Sequence, residues 1–306
     1  MNISILQSKE WQKLQEDFKK ETFFESETDY QFLAIIENTP VGKYLYCTYG
    51  PAAENKTGFK KALKSLEAIA KSNDALFIRI EPQNPAFIAS LPKNAKKAKE
   101  INPKNTWVID LDDETDLKQK LPSRLFRYYK NYEKSGLTIE TSKDSEDIKH
   151  LLKLQAALAK QKHINTFSES YLQTELSQPF ATLYLMKDQQ SEIIAAGMVF
   201  DYQETRYNLQ GAQSETGRKN HATGILTIKL ILDAKEKGLK YFDFWGIAPT
   251  GAKKNHPWAG FTDFKKTFGG REVDYAGAYH IILKKPKYLL YNILRKANLM
   301  IRKLKP

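Results

Sequence analysis

Apolar residues between positions 31 and 49 fall into two short blocks, QFLAIIE (31–37) and KYLYCTY (43–49), separated by Pro40, Val41 and Gly42. Blocks of this length on either side of a Pro/Gly break predict two strands and a turn. The period then changes. Phe59, Leu63, Leu66, Ile69 and Ala70 recur every three or four positions, which predicts a helix over 57–72, and FIRIEP (77–82) returns to the strand pattern. A further strand is expected over 105–111, followed by a long basic helix over 113–134 that Pro122 must begin or interrupt. The second half repeats this order. Helices over 145–161 and 168–177 lead into strands at 181–187, 192–201 and 205–210. A helix over 219–237 follows, stopped at Gly238, and then the strand YFDFWGI (241–247).

The repetition has a period. Gly50 precedes Glu81 by 31 residues and Gly211 precedes Asp243 by 32; each interval holds a helix and then a strand ending in an acidic residue near a proline, Pro82 or Pro249. This predicts an α/β (α+β) chain of two related domains with mixed sheets flanked by helices, residues 1–142 and 143–285, followed by a basic helical segment, 286–306. The boundary is placed near 140–144, where the strand-like LTIE gives way to the polar run TSKDSED.

Composition adds bounds. With 306 residues, 41% hydrophobic and 27% charged, the chain has apolar material for two cores and does not read as disordered or fibrous. No stretch approaches the ~18 uninterrupted apolar residues of a membrane span. The opening MNISILQSKEWQKL lacks the basic-then-apolar order of a signal peptide. A lone cysteine, Cys47, cannot form an internal disulfide and is expected as a small buried residue in a strand, in a reducing compartment. Charge changes the picture more. Lys and Arg total 48 against 36 Asp and Glu, a formal net charge of +12 that attracts nucleic acid, anionic headgroups or phosphorylated small molecules. Residues 284–306 hold eight Lys or Arg and no acid, interspersed with Leu289, Leu290, Ile293, Leu294, Met300, Ile301 and Leu304. Two readings fit this segment: a basic amphipathic helix on a membrane surface, or, favoured, a helix packed on the protein's own core.

Several chemistries lack their motifs: there is no Walker loop, no GxGxxG opening a helix, no GxSxG elbow and no HExxH. The histidines, His150, His163, His221, His256 and His280, show no paired metal-ligand spacing, so no metal is expected. Residues 241–270 stand out. Phe242, Phe244, Trp245, Trp258, Phe261, Phe264 and Phe268 are interleaved with Lys253, Lys254, Lys265 and Lys266. Such a mixture suits a single-stranded nucleic-acid end, and equally an aromatic core with solvated lysines. Alternation along a strand puts Tyr241, Asp243 and Trp245 on one face, and Asp243 among these rings needs a partner such as a backbone amide, Lys or Arg. The loop 247–257 is long enough to wall a substrate site.

The run FDFWGIAP (242–249), then HPWAGFTDFKKTFGG (256–270), then AGAYHIILKKPKYLLY (276–291) resembles the C-terminal signature of the Fem (FemABX) family of peptidoglycan bridge-forming transferases. Looser matches cover the rest: QSKEW (7–11), YGP (49–51), RIEP (79–82) and the Arg-rich helix 124–134 running out into EKSGL. The resemblance implies two tandem GCN5-related N-acyltransferase-like domains of the short type, without a coiled-coil arm, and a C-terminal segment that returns to the first domain. It implies an aminoacyltransferase that moves an amino acid from aminoacyl-tRNA, its co-substrate, to the stem-peptide amine of a peptidoglycan precursor, either lipid II or UDP-MurNAc-pentapeptide. No other cofactor is implied. The place is the cytoplasm, with peripheral contact at the inner face of the plasma membrane where the acceptor is lipid-linked.

By the same resemblance Lys265 matches the lysine of the FK motif, where an ammonium stabilises the tetrahedral oxyanion or holds the tRNA terminus, and Phe264 beside it stacks on the acceptor end. Tyr171 and Asn165, in HINTFSESYL (163–172), match positions lining the precursor pocket, and Glu81 and Lys13 are further precursor-binding candidates. Asp243, Trp245, His256, Trp258 and Lys266 complete the tRNA or pocket set. The chain departs from the family pattern at Glu81, which replaces an aspartate, at Gln15 and Phe167, which stand where phosphate-binding basic residues can occur, and at Leu209, which replaces a tyrosine. Two rivals stay open: an acyl-CoA-dependent N-acetyltransferase, whose pyrophosphate turn would fall in GRKNHATG (217–224), and a non-enzymatic RNA- or membrane-binding protein.

Overall fold

The structure, a computed structural model, describes residues 3–112, 114–162, 167–253, 256 and 258–304. In chain order it runs α1 (Lys9–Asp17), β1 (Thr22–Ser26), β2 (Tyr30–Thr39), β3 (Gly42–Cys47), β4 (Ala52–Ala53), α2 (Lys56–Ser72), β5 (Phe77–Ile80) and β6 (Ala95–Lys97). Next come β7 (Asn105–Asp110), α3 (Glu114–Lys120), α4 (Ser123–Asn131), β8 (Thr138–Ser142), α5 (Ile148–Lys162), α6 (Glu169–Leu176), β9 (Ala181–Lys187), β10 (Ile193–Tyr202) and β11 (Thr205–Gln213). The last third holds α7 (Glu215–Lys219), α8 (Ala222–Glu236), β12 (Tyr241–Gly246), α9 (Ala259–Lys266), β13 (Arg271–Asp274), β14 (Tyr279–Ile282) and α10 (Lys285–Leu304).

These elements form two units, residues 1–104 with 274–306, and residues 105–273. The division therefore does not fall at 142/143, nor does residue 286 open a separate segment. Strand pairing is the reason. β7 hydrogen-bonds to β12, which pulls residues 105–142 into the second unit, while β14 lies between β5 and β6 in the first. Neither swap leaves a trace in local periodicity.

Within the first unit the sheet order is β1-β2-β3-β5-β14-β6, with β4 beside β2. β3 and β5 are parallel, joined by α2 as a crossover. That helix begins where the sequence calls for it: Asn55 caps it, accepting from the N–H groups of Thr57 and Gly58 at 2.9 and 3.0 Å. Its buried face is Phe59, Ala62, Leu63, Leu66 and Ala70, packed on Phe32, Ala34, Leu45 and Ile78. The lone cysteine, Cys47, is fully buried at the end of β3, as expected of it.

In the second unit the order is β13-β7-β12-β11-β10-β9-β8. The parallel pair here is β11 and β12, connected through α7 and α8. Each unit thus contains a strand, a helical crossover and a parallel strand, which is the repeat read from the sequence. The helix expected over 219–237 is α8, which opens only at Ala222, because His221 adopts a left-handed conformation (φ +56°) between α7 and α8. Gly238 ends α8 at φ +76°, and Pro122 caps α4 after a break from α3. Local pattern did not reveal α1, β1, α9, β13 or β14.

Candidate active site

Strand β12 is irregular at its end. Its first residues pair in register with β11 and β7, but the register shifts between Asp243 and Gly246. Trp245 sits at φ +65°, a conformation that costs a non-glycine residue about 1–3 kcal/mol and persists only where its surroundings hold it. Phe242 and Phe244 provide that hold. Both are buried, edge to face at 4.8 Å, with Phe244 also 5.5 Å from Phe268, while Tyr207 meets the Trp245 ring edge-on at 6.1 Å. The kink breaks the simple alternation of Tyr241, Asp243 and Trp245.

Asp243 is 4% exposed. Its Oδ1 accepts the backbone N–H of Trp245 at 2.7 Å and the hydroxyl of Thr106, a residue on β7. Burial pushes its carboxyl up to about 6, against those two hydrogen bonds and the attraction of Lys265. The needed partner is thus a backbone amide and a hydroxyl, with a cation nearby.

Lys265 lies in the last turn of α9, half-buried, and its Nζ donates to the carbonyl of Gly246 at 2.5 Å. Desolvation brings its ammonium down to about 8, with Asp243 opposing the shift. An amine poised there can donate to an oxygen anion as an ammonium and can release that proton near neutrality.

The motif residues around Lys265 set its position. The Thr262 hydroxyl accepts from the Ala248 N–H at 2.8 Å and donates to the Trp258 carbonyl at 2.8 Å, tying α9 to the segment after β12. Phe268 is fully buried, and Gly269 and Gly270 turn the chain with φ of +76° and +95°. A Cβ on Gly270 would stand 2.4 Å from the Val108 carbonyl oxygen, so only glycine fits. Trp107 Nε1 donates to the Gly269 carbonyl at 2.6 Å. The FK-x-x-FGG spacing is therefore a helix end, an anchor and a turn.

The remaining expected site residues separate. Phe264, half-buried, meets Phe268 edge-on at 5.1 Å and packs on the unit's core. Lys266 is exposed, its Nζ 5.3 Å from the centre of the Trp107 ring. The Trp258 N–H donates to His256 Nδ1 at 3.2 Å, and the Trp258 side chain is 40% exposed. Tyr171 belongs to a second cluster on α6: Phe167 stacks on it at 5.0 Å, and it hydrogen-bonds Glu175, a buried carboxyl that desolvation pushes up to about 8. Asn165, like His163 and Lys254, lies outside the described residues.

Lys13 and Glu81 belong to the other unit. Lys13 is exposed on α1. Glu81 is buried and fully engaged: Arg79 Nη2 donates to its Oε1 at 2.6 Å, while the Tyr46 hydroxyl and Asn102 Nδ2 donate to Oε2 at 3.0 and 2.9 Å. Its neighbours in the matched motifs are equally structural. Gln7 Nε2 donates to the carbonyls of Leu33 and Thr48, its Oε1 accepts the Leu33 N–H, and a Cβ on Gly50 would lie 2.2 Å from that oxygen. QSKEW, YGP and RIEP thus meet around the β2, β3 and β5 ends as scaffold. Sequence reading missed Thr106, Trp107 and Glu175; Thr106 joins Asp243 only through the β7–β12 pairing, 137 positions away.

The stretch 217–224, where a pyrophosphate turn would fall, is occupied by the end of α7 and the start of α8. Five of its N–H groups are used internally: Gly217 and Arg218 donate to Ser214, Asn220 to Thr216, His221 to Arg218 and Thr223 to the Gln213 side chain.

Comparison with known proteins follows the same lines. No curated protein matches the chain in sequence. Among solved structures it is similar to FemX, with a TM-score of 0.81 at 18% identity over 94% of each chain. L-PGS from Bacillus licheniformis gives 0.60 at 17% identity, covering 89% of this chain and 88% of that one. A tandem GNAT protein from the clavulanic acid biosynthesis pathway gives 0.51 at 12%, covering 82% and 78%. At such identities these likenesses show the shared fold. Residues 2–118 and 128–296 match the FemAB family model, nearly the whole chain, and this protein therefore belongs to the FemAB family.

Proposed function

We propose that this FemAB-family transferase moves an aminoacyl group from aminoacyl-tRNA to the stem-peptide amine of a peptidoglycan precursor, lipid-linked or nucleotide-linked. Besides family membership, the observation that carries the reading is Lys265: a half-buried amine tied to the Gly246 carbonyl beside buried Asp243. In aminolysis of the ester, the acceptor nitrogen bonds to the carbonyl carbon and the carbonyl oxygen becomes an anion. The ammonium of Lys265 stabilises that anion. As the carbon–oxygen bond to the tRNA ribose breaks, the proton lost by the acceptor amine goes to the leaving ribose oxygen, which departs as a hydroxyl. The ester is already activated, so holding and charge stabilisation suffice. Trp258, Lys266 and His256 supply stacking and charge for the tRNA terminus, with Phe264 fixing the lysine's helix. Because the acceptor is lipid-linked in one of the two cases, we place the protein in the cytoplasm at the inner membrane face.

The CoA-dependent alternative is disfavoured by the internally bonded N–H groups of Gly217, Arg218, Asn220, His221 and Thr223. The test is transfer of radiolabelled amino acids from a charged tRNA pool to lipid-linked and UDP-linked muropeptides. RNase-sensitive product is expected, falling about 10²-fold or more in Lys265→Ala while tRNA binding persists. Acetyl-CoA turnover without any tRNA-dependent product would establish the acetyltransferase.

A further inference from the structure

Helix α10 meets its own unit along one narrow side. Tyr288 is buried, edge-on to Phe77 at 5.3 Å, and Tyr291 lies 5.0 Å from Phe77 and 6.3 Å from Tyr44. Four further residues of the apolar stripe have no such cover. Leu289, Leu290, Ile293 and Leu294 are 54%, 47%, 63% and 38% exposed. At ~100° per residue these four span an arc of roughly 140° turned away from the two tyrosines. Lys287 borders the arc on one side and Lys285 and Lys296 on the other, all exposed. Past Leu294 the surface continues into a hollow of about 240 Å³ beside the Pro40–Val41 turn, with Arg295 in its lining.

The charge selects the occupant. Residues 284–306 carry eight basic side chains and no acid. A second copy would set this basic helix against itself, and a mixed-charge protein surface would find no acid to pair with. An anionic bilayer complements it: aliphatic side chains enter the headgroup boundary while flanking lysines reach lipid phosphates. No helix among the described residues is long and apolar enough to cross a membrane, so the contact lies along the surface. We propose that α10 docks the protein on an anionic phospholipid bilayer through Leu289, Leu290, Ile293 and Leu294, with Lys285, Lys287 and Lys296 on the lipid phosphates.

Docking does not depend on the transfer reaction and is measured without it. The full chain is floated with vesicles of phosphatidylglycerol and phosphatidylcholine, and with phosphatidylcholine alone. It should rise only with the anionic vesicles, less so in high salt. Joint Leu290→Glu and Ile293→Glu should weaken binding at least tenfold, and Lys285→Gln and Lys296→Gln about fivefold each. The paired changes Leu290→Ser and Ile293→Ser repeat the test without added charge, and an unchanged melting curve establishes that each variant folds. Absence of flotation with anionic vesicles, or apolar-face variants that float like the parent, overturns the proposal. So does release by millimolar glycerol phosphate, which would mark a headgroup pocket alone, or loss of a concentration-dependent dimer in the variants, which would make a second copy the occupant.

Discussion

At Asp243, burial and hydrogen bonding pull in opposite directions, and burial wins. Its carboxyl titrates at about 6 in the folded chain against an ordinary value of 3.8, so the folded state holds the proton more tightly than the unfolded one. The sign follows: this group's contribution favours folding at low pH and is lost as pH rises from about 4 to about 6, on the order of 3 kcal/mol in total. Asp243→Asn keeps an acceptor for the Trp245 N–H and should flatten that window, read from melting temperatures between pH 4 and 7. Lys265 behaves in the mirror sense. Its ammonium is disfavoured in the folded state, so stability rises as pH climbs from about 8 towards the ordinary lysine value. If turnover needs Asp243 ionised and Lys265 protonated, the rate should form a bell with limbs near 6 and 8, and Asp243→Asn, which mimics the protonated acid, should lower the rate at every pH and leave no acid limb. Lys265 and Asp243 could be picked out of the sequence because each sits in a compact motif. Thr106 could not, since nothing near position 106 announces that its hydroxyl faces a carboxylate.

Elements place these residues, and glycines and amides place the elements. Gly270→Ala would set a methyl group against the Val108 carbonyl at a φ of +95°, at a cost of about 2–4 kcal/mol. It should lower the melting temperature and reduce transfer beyond what lost protein explains, because α9 carries Lys265. In the first unit the side-chain amide of Gln7 substitutes for strand pairing. Gln7→Leu would strand the Leu33 N–H and the Thr48 carbonyl, costing about 2–5 kcal/mol, measurable by urea titration. Helices and strands with a clean period, such as α2 and β9 to β12, are legible in the sequence alone. The late start of α8, at Ala222 rather than 219, is not. Residue type allows His221 its left-handed conformation, but only the stacking of Tyr128 at 4.4 Å shows it in place.

The whole chain exchanges strands between its two halves: β7 comes from before the second unit's own strands, and β14 from after them. Hydrophobic period reports a strand and a face, never which sheet receives it, so the boundary read at 142/143 missed both exchanges. Tyr288 shows what holds the returning segment. Its ring covers Phe77, and its hydroxyl lies 3.1 Å from Nδ1 of the buried His280. Tyr288→Ala should cost about 3–5 kcal/mol and destabilise the first unit selectively, visible in hydrogen exchange of β5 and β14. The returning strand also fixes an order of events during synthesis. Arg79 and His280 are 201 positions apart, and until β14 leaves the ribosome the slot between β5 and β6 stays open. The half translated first is therefore completed last, after the second unit has closed. A chain released early would carry one finished sheet and one with two unpaired edges, the kind of surface that proteases and chaperones recognise.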